Sequence, residues 1–293
     1  METSEPVRRT SEIEEVTNLY FIHPISAWLT PRFAALGITP NAVSLAGMAF
    51  GLAAGWAYSH YQGLGWSVAG FLLMIAWHVM DGADGQLARL TNAQSEMGKI
   101  LDGICDYVTF IAVYVGLATS LAQEQGAWVW LVVVAAGVAH AAQSAAYEMQ
   151  RQCYNFWGWG RKSAELAKLD APPKRDQGGF GALYRLYVRL QYLTTGVTLG
   201  FHEDLGRALA ADPARAPDIR AAYRAAFAPS VRHWSILSAN YRTLGIFIAA
   251  AIGHPLLYFW FELVGFSLIM AVLLSRQAAR NARFLKGLEP AAA

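Results

Sequence analysis

At 293 residues the chain has room for one or two soluble domains, yet 55% of it is apolar and only 15% charged, a balance that soluble proteins rarely show. The net charge of +2 gives no basis for a nucleic-acid partner. The two cysteines, Cys105 and Cys153, have neither metal-ligand spacing nor the number for a disulfide framework.

The opening METSEPVRRTSEIEE is acidic and polar, so no cleavable signal is expected, and residues 1 to about 12 read as loosely attached. Residues 14–36 mix apolar side chains with polar ones and two prolines, which suits short helices in the membrane interface. An N-terminal cytosolic or interfacial segment is thus expected over 1–36. Thr39 is a plausible N-cap with Pro40 as first helical residue. A first spanning helix is predicted over 42–59, in which Gly47, Gly51 and Gly55 recur every fourth residue and permit close helix approach, within a bundle or across a dimer. Further spans are predicted over 66–80, 98–121 and 127–147, closing a first membrane region of 37–147.

Residues 148–234 differ in kind, being polar and basic, with Pro172, Pro173 and Gly178, Gly179 and Gly181 marking turns. A surface helix is expected over 183–197, where Arg185 and Arg189 lie one turn apart, and a more soluble helix over 218–228. Two more spans, 236–251 and 256–274, lie in a final region of 235–293 with a basic tail. The predicted fold is an all-α integral membrane protein with six transmembrane helices, N-terminal interfacial helices and a long cytosolic insert between helices 4 and 5.

Positive charge supports this order, because cytoplasmic segments hold the excess of Lys and Arg. Of the 23, three precede the first span, thirteen lie between Arg151 and Arg232, four lie in the tail, and Arg89, Lys99 and Arg242 make up the rest. The short segments 60–65, 122–126 and 253–255 hold none. Six crossings with both termini cytosolic put each basic segment on one side, together with the junction between the second and third helices.

That junction carries the chemistry. It reads DGADGQLARLTNAQSEMGKILDGICD from Asp81 to Asp106. Asp81, Asp84 and Ala88 share one helix face, and Gly98, Asp102 and Asp106 share another. Four carboxylates brought together by two antiparallel helices repel unless protonated or held by cations. All-oxygen ligation points to Mg²⁺ or Mn²⁺ first, with Ca²⁺ possible. Gly82 and Gly85 leave room for a ligand, and Arg89 adds a fixed cation a turn beyond Asp84. Metal, arginine and open backbone suit an anion, and a diphosphate best. A polar cluster that only ties helices together, or a cation pathway, is the plainer alternative.

These residues resemble the CDP-alcohol phosphotransferases, whose pattern Asp-x2-Asp-Gly-x2-Ala-Arg-x8-Gly-x3-Asp-x3-Asp is matched position for position. Eight fixed residues at these spacings arise by chance at a given start with probability roughly 10⁻⁹ or less. Gly-Ile-Thr-Pro-Asn at 37–41 also resembles the family's approach to its first helix. The resemblance implies that Asp81, Asp84 and Asp102 ligate metal, with Asp106 near a second ion and serving as general base. It implies a nucleotide pocket bounded by Gly85, Ala88, Arg89 and Gly98 with Asn41 near by. It also implies a CDP-linked donor, an alcohol acceptor, loss of CMP, two divalent ions, a membrane lipid as one substrate and a homodimer. The expected setting is a bacterial inner (cytoplasmic) membrane, with the active site cytosolic. Phospholipid synthesis from CDP-diacylglycerol ranks ahead of head-group transfer from CDP-choline, CDP-ethanolamine or CDP-inositol to a lipid hydroxyl.

The acceptor is less legible. Arg242 and Asn240 are candidates to meet it, Arg242 as a cation for an acceptor phosphate, its alternative being a positive-inside anchor. His140, His78 and Tyr147 have the groups to bond a polyol, although a histidine in an apolar helix is more often a packing residue. Tyr154, Phe156, Trp157 and Trp159 suggest either a cage for a choline-like cation or an interfacial aromatic belt. An intramembrane prenyltransferase would also use aspartates and Mg²⁺ but gives no reason for the Gly85-x2-Ala88-Arg89 spacing. A cation transporter would need ionisable residues deep in other spans.

Overall fold

Thr39 opens the first long helix as its sequence suggests. Its side-chain oxygen accepts from the Ala42 N–H at 3.3 Å, and Pro40 fills the first turn, where the missing N–H costs nothing. The computed structural model describes residues 11–161, 164 and 199–288, and among these every regular element is helical. In chain order they are α1 (His23–Ala35), α2 (Pro40–Tyr58), α3 (Leu64–Leu90), α4 (Glu96–Gln125), α5 (Val129–Cys153), α6 (Leu199–Ala211), α7 (Ala216–Trp234), α8 (Ala239–Ala251), α9 (Pro255–Trp260) and α10 (Ser267–Leu288). A π-helical turn, Asn18–Ile22, leads into α1, another, Tyr154–Gly158, ends α5, and a third, Phe261–Phe266, joins α9 to α10. The surface helix expected over 183–197 lies outside the described residues.

Among the described residues four helical stretches are long and apolar enough to cross a membrane: Leu64–Leu90, Met97–Gln125, Val129–Gly158 and Pro255–Leu288. The expected first and fifth spans fall short of that. Pro40, Asn41 and three glycines lower the hydropathy of α2, and the 13 residues of α8 rise about 20 Å, less than the roughly 30 Å of a hydrocarbon core. The tail expected after residue 274 continues as helix to Leu288.

The chain divides into two compact units. The described part of the first comprises residues 11–140 and 239–264. Its core joins Tyr58, Trp77, Phe110, Tyr114, Leu117, Ile246 and Phe259, all buried. The glycine stripe of α2 is used inside this unit. A Cβ on Gly51 would lie 2.2 Å from Thr109 Oγ1, one on Gly55 2.4 Å from the Ala112 carbonyl oxygen, and one on Gly116 2.0 Å from the Gly55 carbonyl oxygen. At Gly55 and Gly116 the atoms met are backbone, so no rotamer change relieves the clash. Gly55→Ala and Gly116→Ala are each expected to destabilise the protein by about 1–3 kcal/mol through forced helix separation. Thermal melting in detergent checks this against Gly103→Ala in α4, where nothing lies within 4 Å and no loss is expected.

The second unit holds residues 141–161, 164, 199–238 and 265–288 among those described. Arg220 Nη1 donates to the carbonyls of Phe156 (2.9 Å) and Trp157 (2.7 Å), and Arg224 Nη1 to that of Gly158 (2.7 Å). Two arginines of α7 thereby bond the last carbonyls at a helix C-terminus. Trp157 Nε1 donates to His202 Nδ1 at 2.8 Å, and burial pushes the His202 pKa down to about 4, keeping that nitrogen an acceptor at neutral pH.

Candidate metal and nucleotide site

Helix α3 does not stop where the apolar run ends but carries its geometry through the motif to Leu90. It closes in a left-handed turn: the Thr91 N–H bonds the Leu87 carbonyl, Asn92 takes φ 51°, and the Ala93 N–H reaches the Ala88 carbonyl at 2.9 Å. Four residues later Ser95 caps α4, its Oγ accepting from the Gly98 N–H at 2.9 Å. The short turn and the cap fix where the two aspartate-bearing helix ends meet.

Asp81, Asp102 and Asp106 each offer a carboxylate oxygen, and these three oxygens lie within 4.8 Å of one another. All three residues are partly buried, whereas Asp84 is 5% exposed and accepts a hydrogen bond from Ser44 Oγ of α2. The four aspartates line one cavity together with Ser44, Gly47, Trp77 and Cys105. Three converging anionic oxygens, with a fourth carboxylate steadied by a neutral hydroxyl, fit a hard divalent cation in donor type and in number. Ser44 was not anticipated. It stands three residues before Gly47 on the small-residue face of α2, and its place at the head of that stripe was the signal available.

Around this cluster, Gly85 lies beneath the Arg89 guanidinium, 3.4 Å from where its Cβ would sit. A Cβ on Gly98 would come within 3.6 Å of Asn41 Oδ1, which brings the start of α2 to the start of α4. Ala88 is partly buried one turn after Asp84. Gly82, expected to make room for a ligand, does otherwise: its Cβ would lie 2.7 Å from Ser26 Oγ. Ser26 donates to the Val79 carbonyl at 2.8 Å, so Gly82 serves the packing of α1 on α3.

Among the candidate acceptor residues, Arg242 and His140 belong to one buried network. Arg242 is fully buried, its Nε donating to Glu262 Oε1 at 3.2 Å. Tyr258 Oη donates to Glu262 Oε2 at 2.6 Å, and Tyr114 Oη lies 3.0 Å from both Tyr258 Oη and His140 Nδ1. The arrangement that satisfies every contact runs one way, from His140 N–H through Tyr114 and Tyr258 to Glu262. Glu262 and this chain were missed in the sequence, although a lone acid within LLYFWFELVGF was the signal. His78 Nε2 pairs with Thr243 Oγ1 at 2.9 Å. Asn240 donates to Glu15, Thr17 and Asn18 over 2.6–2.9 Å. Tyr147, in the second unit, packs with Trp234, Leu237 and Phe266, and the Arg151 guanidinium lies 5.7 Å from its ring. The four aromatics near residue 155 do not form an open cage. Tyr154 is buried, Trp157 stacks on His202, and Arg224 covers the Trp159 ring at 4.2 Å.

Residues 37–170 match the family model described as CDP-alcohol phosphatidyltransferase. The chain is also similar to the inner membrane protein YnjF of Escherichia coli (strain K12), at 27% identity over 124 residues, which covers 40% of this chain and 58% of that protein. The match thus spans less than two thirds of the relative's length. The aspartate cluster and three of the four membrane-competent helices lie within residues 37–170, and this segment is thus similar to the CDP-alcohol phosphatidyltransferases.

Proposed function

We propose that the protein transfers a substituted phosphate from a CDP-linked donor, CDP-diacylglycerol in the first place, to the hydroxyl of a polar alcohol, releasing CMP. The observation that carries this is the convergence of Asp81, Asp102 and Asp106 within 4.8 Å, beside a buried Asp84. Asp81, Asp84 and Asp102 would hold one divalent ion and Asp106 would adjoin a second. When bound, Mg²⁺ or Mn²⁺ supplies charge neutralisation for the diphosphate and for the departing CMP. Asp106 takes the proton of the acceptor hydroxyl, whose oxygen attacks the phosphorus bearing the lipid as the bond to the CMP oxygen breaks. This carboxylate acts through its position beside the acceptor hydroxyl. Arg89 faces the diphosphate, while Gly85, Ala88, Gly98 and Asn41 bound the nucleotide. Arg242, Asn240, His140 and Tyr147 remain candidates for the acceptor. A homodimer, as the resemblance implies, would form through surfaces other than the glycine stripe, which is consumed within one chain. The active site would face the cytosol of a bacterial inner membrane, where a lipid keeps its tails in the bilayer and its head meets a soluble partner.

The test is the full chain in lipid vesicles with Mg²⁺ or Mn²⁺, a panel of CDP donors and acceptors, and CMP release as readout. CMP formation from CDP-diacylglycerol that depends on a phosphorylated or free polyol, and that stops on chelation of the metal, is the expected result. CMP from CDP-choline and a lipid hydroxyl would reverse the division of substrates. Pyrophosphate release would point to prenyl transfer, and ion flux without CMP to a transporter.

A further inference from the structure

The second unit contains a groove of about 360 Å³ lined by His233, Leu268, Ile269, Val272, Leu273 and Arg276. None of these belongs to the carboxylate site. Positions 268, 272 and 276 of α10 follow one another every fourth residue, with 269 and 273 alongside, so the groove follows one helix face. Leu268 is 63% and Val272 50% exposed, within a stretch long and apolar enough to cross a membrane. The apolar run ends at Ser275, and Arg276 follows directly. About 12 Å of apolar track therefore finishes at a guanidinium. His233, in the last turn of α7, brings a second nitrogen donor to the lining of the groove. Among the described residues neither side chain has a hydrogen bond or ion pair, and no acidic residue lines the groove.

We infer that this groove binds a phospholipid of net negative charge, one acyl chain lying along Leu268, Ile269, Val272 and Leu273 and the phosphate held between Arg276 and His233. Any lipid tail would fill the apolar part, so selectivity rests on the rim. A zwitterionic head group brings its own cation to a rim that offers only donors, whereas an anionic one does not. The depth also agrees, because the guanidinium stands where the hydrocarbon-compatible sequence gives way to polar residues, the level at which a lipid phosphate sits.

The experiment uses the full chain in phosphatidylcholine nanodiscs with a trace of phosphatidylglycerol carrying a photoactivatable group in its acyl chain, and no CDP compound, so its outcome is separate from that of the transferase assay. Labelling is expected within residues 268–273, and unlabelled phosphatidylglycerol should compete about fivefold better than phosphatidylcholine, the effect of one basic side chain near a membrane surface. Arg276→Gln should lose this preference and Arg276→Lys keep most of it. Val272→Trp, which fills the track at an exposed position, should abolish labelling with the melting temperature unchanged. Equal competition by the two lipids, a preference intact in Arg276→Gln, labelling that persists in Val272→Trp, or displacement by millimolar inorganic phosphate would each overturn the inference.

Discussion

Asp106→Asn is expected to lower CMP release by about 10²–10⁴-fold while leaving metal-dependent nucleotide binding largely intact. The size is that of a positioned general base, about 2.7–5.4 kcal/mol of barrier. The separation of effects follows from geometry. Asparagine keeps the shape and one oxygen of the aspartate, so the cavity lined by Ser44, Gly47, Trp77 and the remaining carboxylates persists. What is lost is the anion that accepts the acceptor's proton. Asp81→Asn should behave differently, because it weakens the carboxylate set that holds the diphosphate through metal, and should raise the metal concentration needed for nucleotide binding. Calorimetric titration with CMP across a range of Mg²⁺, beside single-turnover CMP release, distinguishes the two. Full turnover in Asp106→Asn would remove this residue as the base.

Glu262→Gln is expected to destabilise the protein by about 3–5 kcal/mol, because it removes a fully buried carboxylate that is ion-paired with the fully buried Arg242 guanidinium. Glutamine still accepts from Tyr258, so the loss reports on charge rather than on the hydrogen-bonded chain. Arg242→Met together with Glu262→Leu should recover most of it, since apolar residues of similar volume commonly replace a buried ion pair at little cost. Melting temperatures of the two single variants and the double variant in detergent give the coupling directly. A Glu262→Gln protein as stable as the parent would show that the pair does not hold α8 to the π-helical turn at Phe261–Phe266. The double variant also decides the proposed acceptor role of Arg242. If its acceptor KM is unchanged the arginine is structural, and a KM raised tenfold or more makes it a substrate contact.

Helix character and the clustering of the motif carboxylates were legible because they depend on spacing along the chain. A period of 3.6 residues puts Asp81 with Asp84, and Asp102 with Asp106, whatever surrounds them, and Thr39 and Pro40 announce a helix start by local geometry alone. Only the tertiary structure decided which partner each face meets. Ser44 reaches Asp84 across 40 positions, Tyr114 reaches Tyr258 across 144, and Gly82 turned out to face Ser26 instead of a ligand. The glycine stripe illustrates the same division. Its fourfold spacing in the sequence announced a close approach, but whether Gly51 and Gly55 meet Thr109 and Ala112 of their own chain or another copy depends on how the helices are arranged. Glycine spacing along one helix carries no record of its neighbour, because the energy of a backbone contact is fixed by both surfaces together.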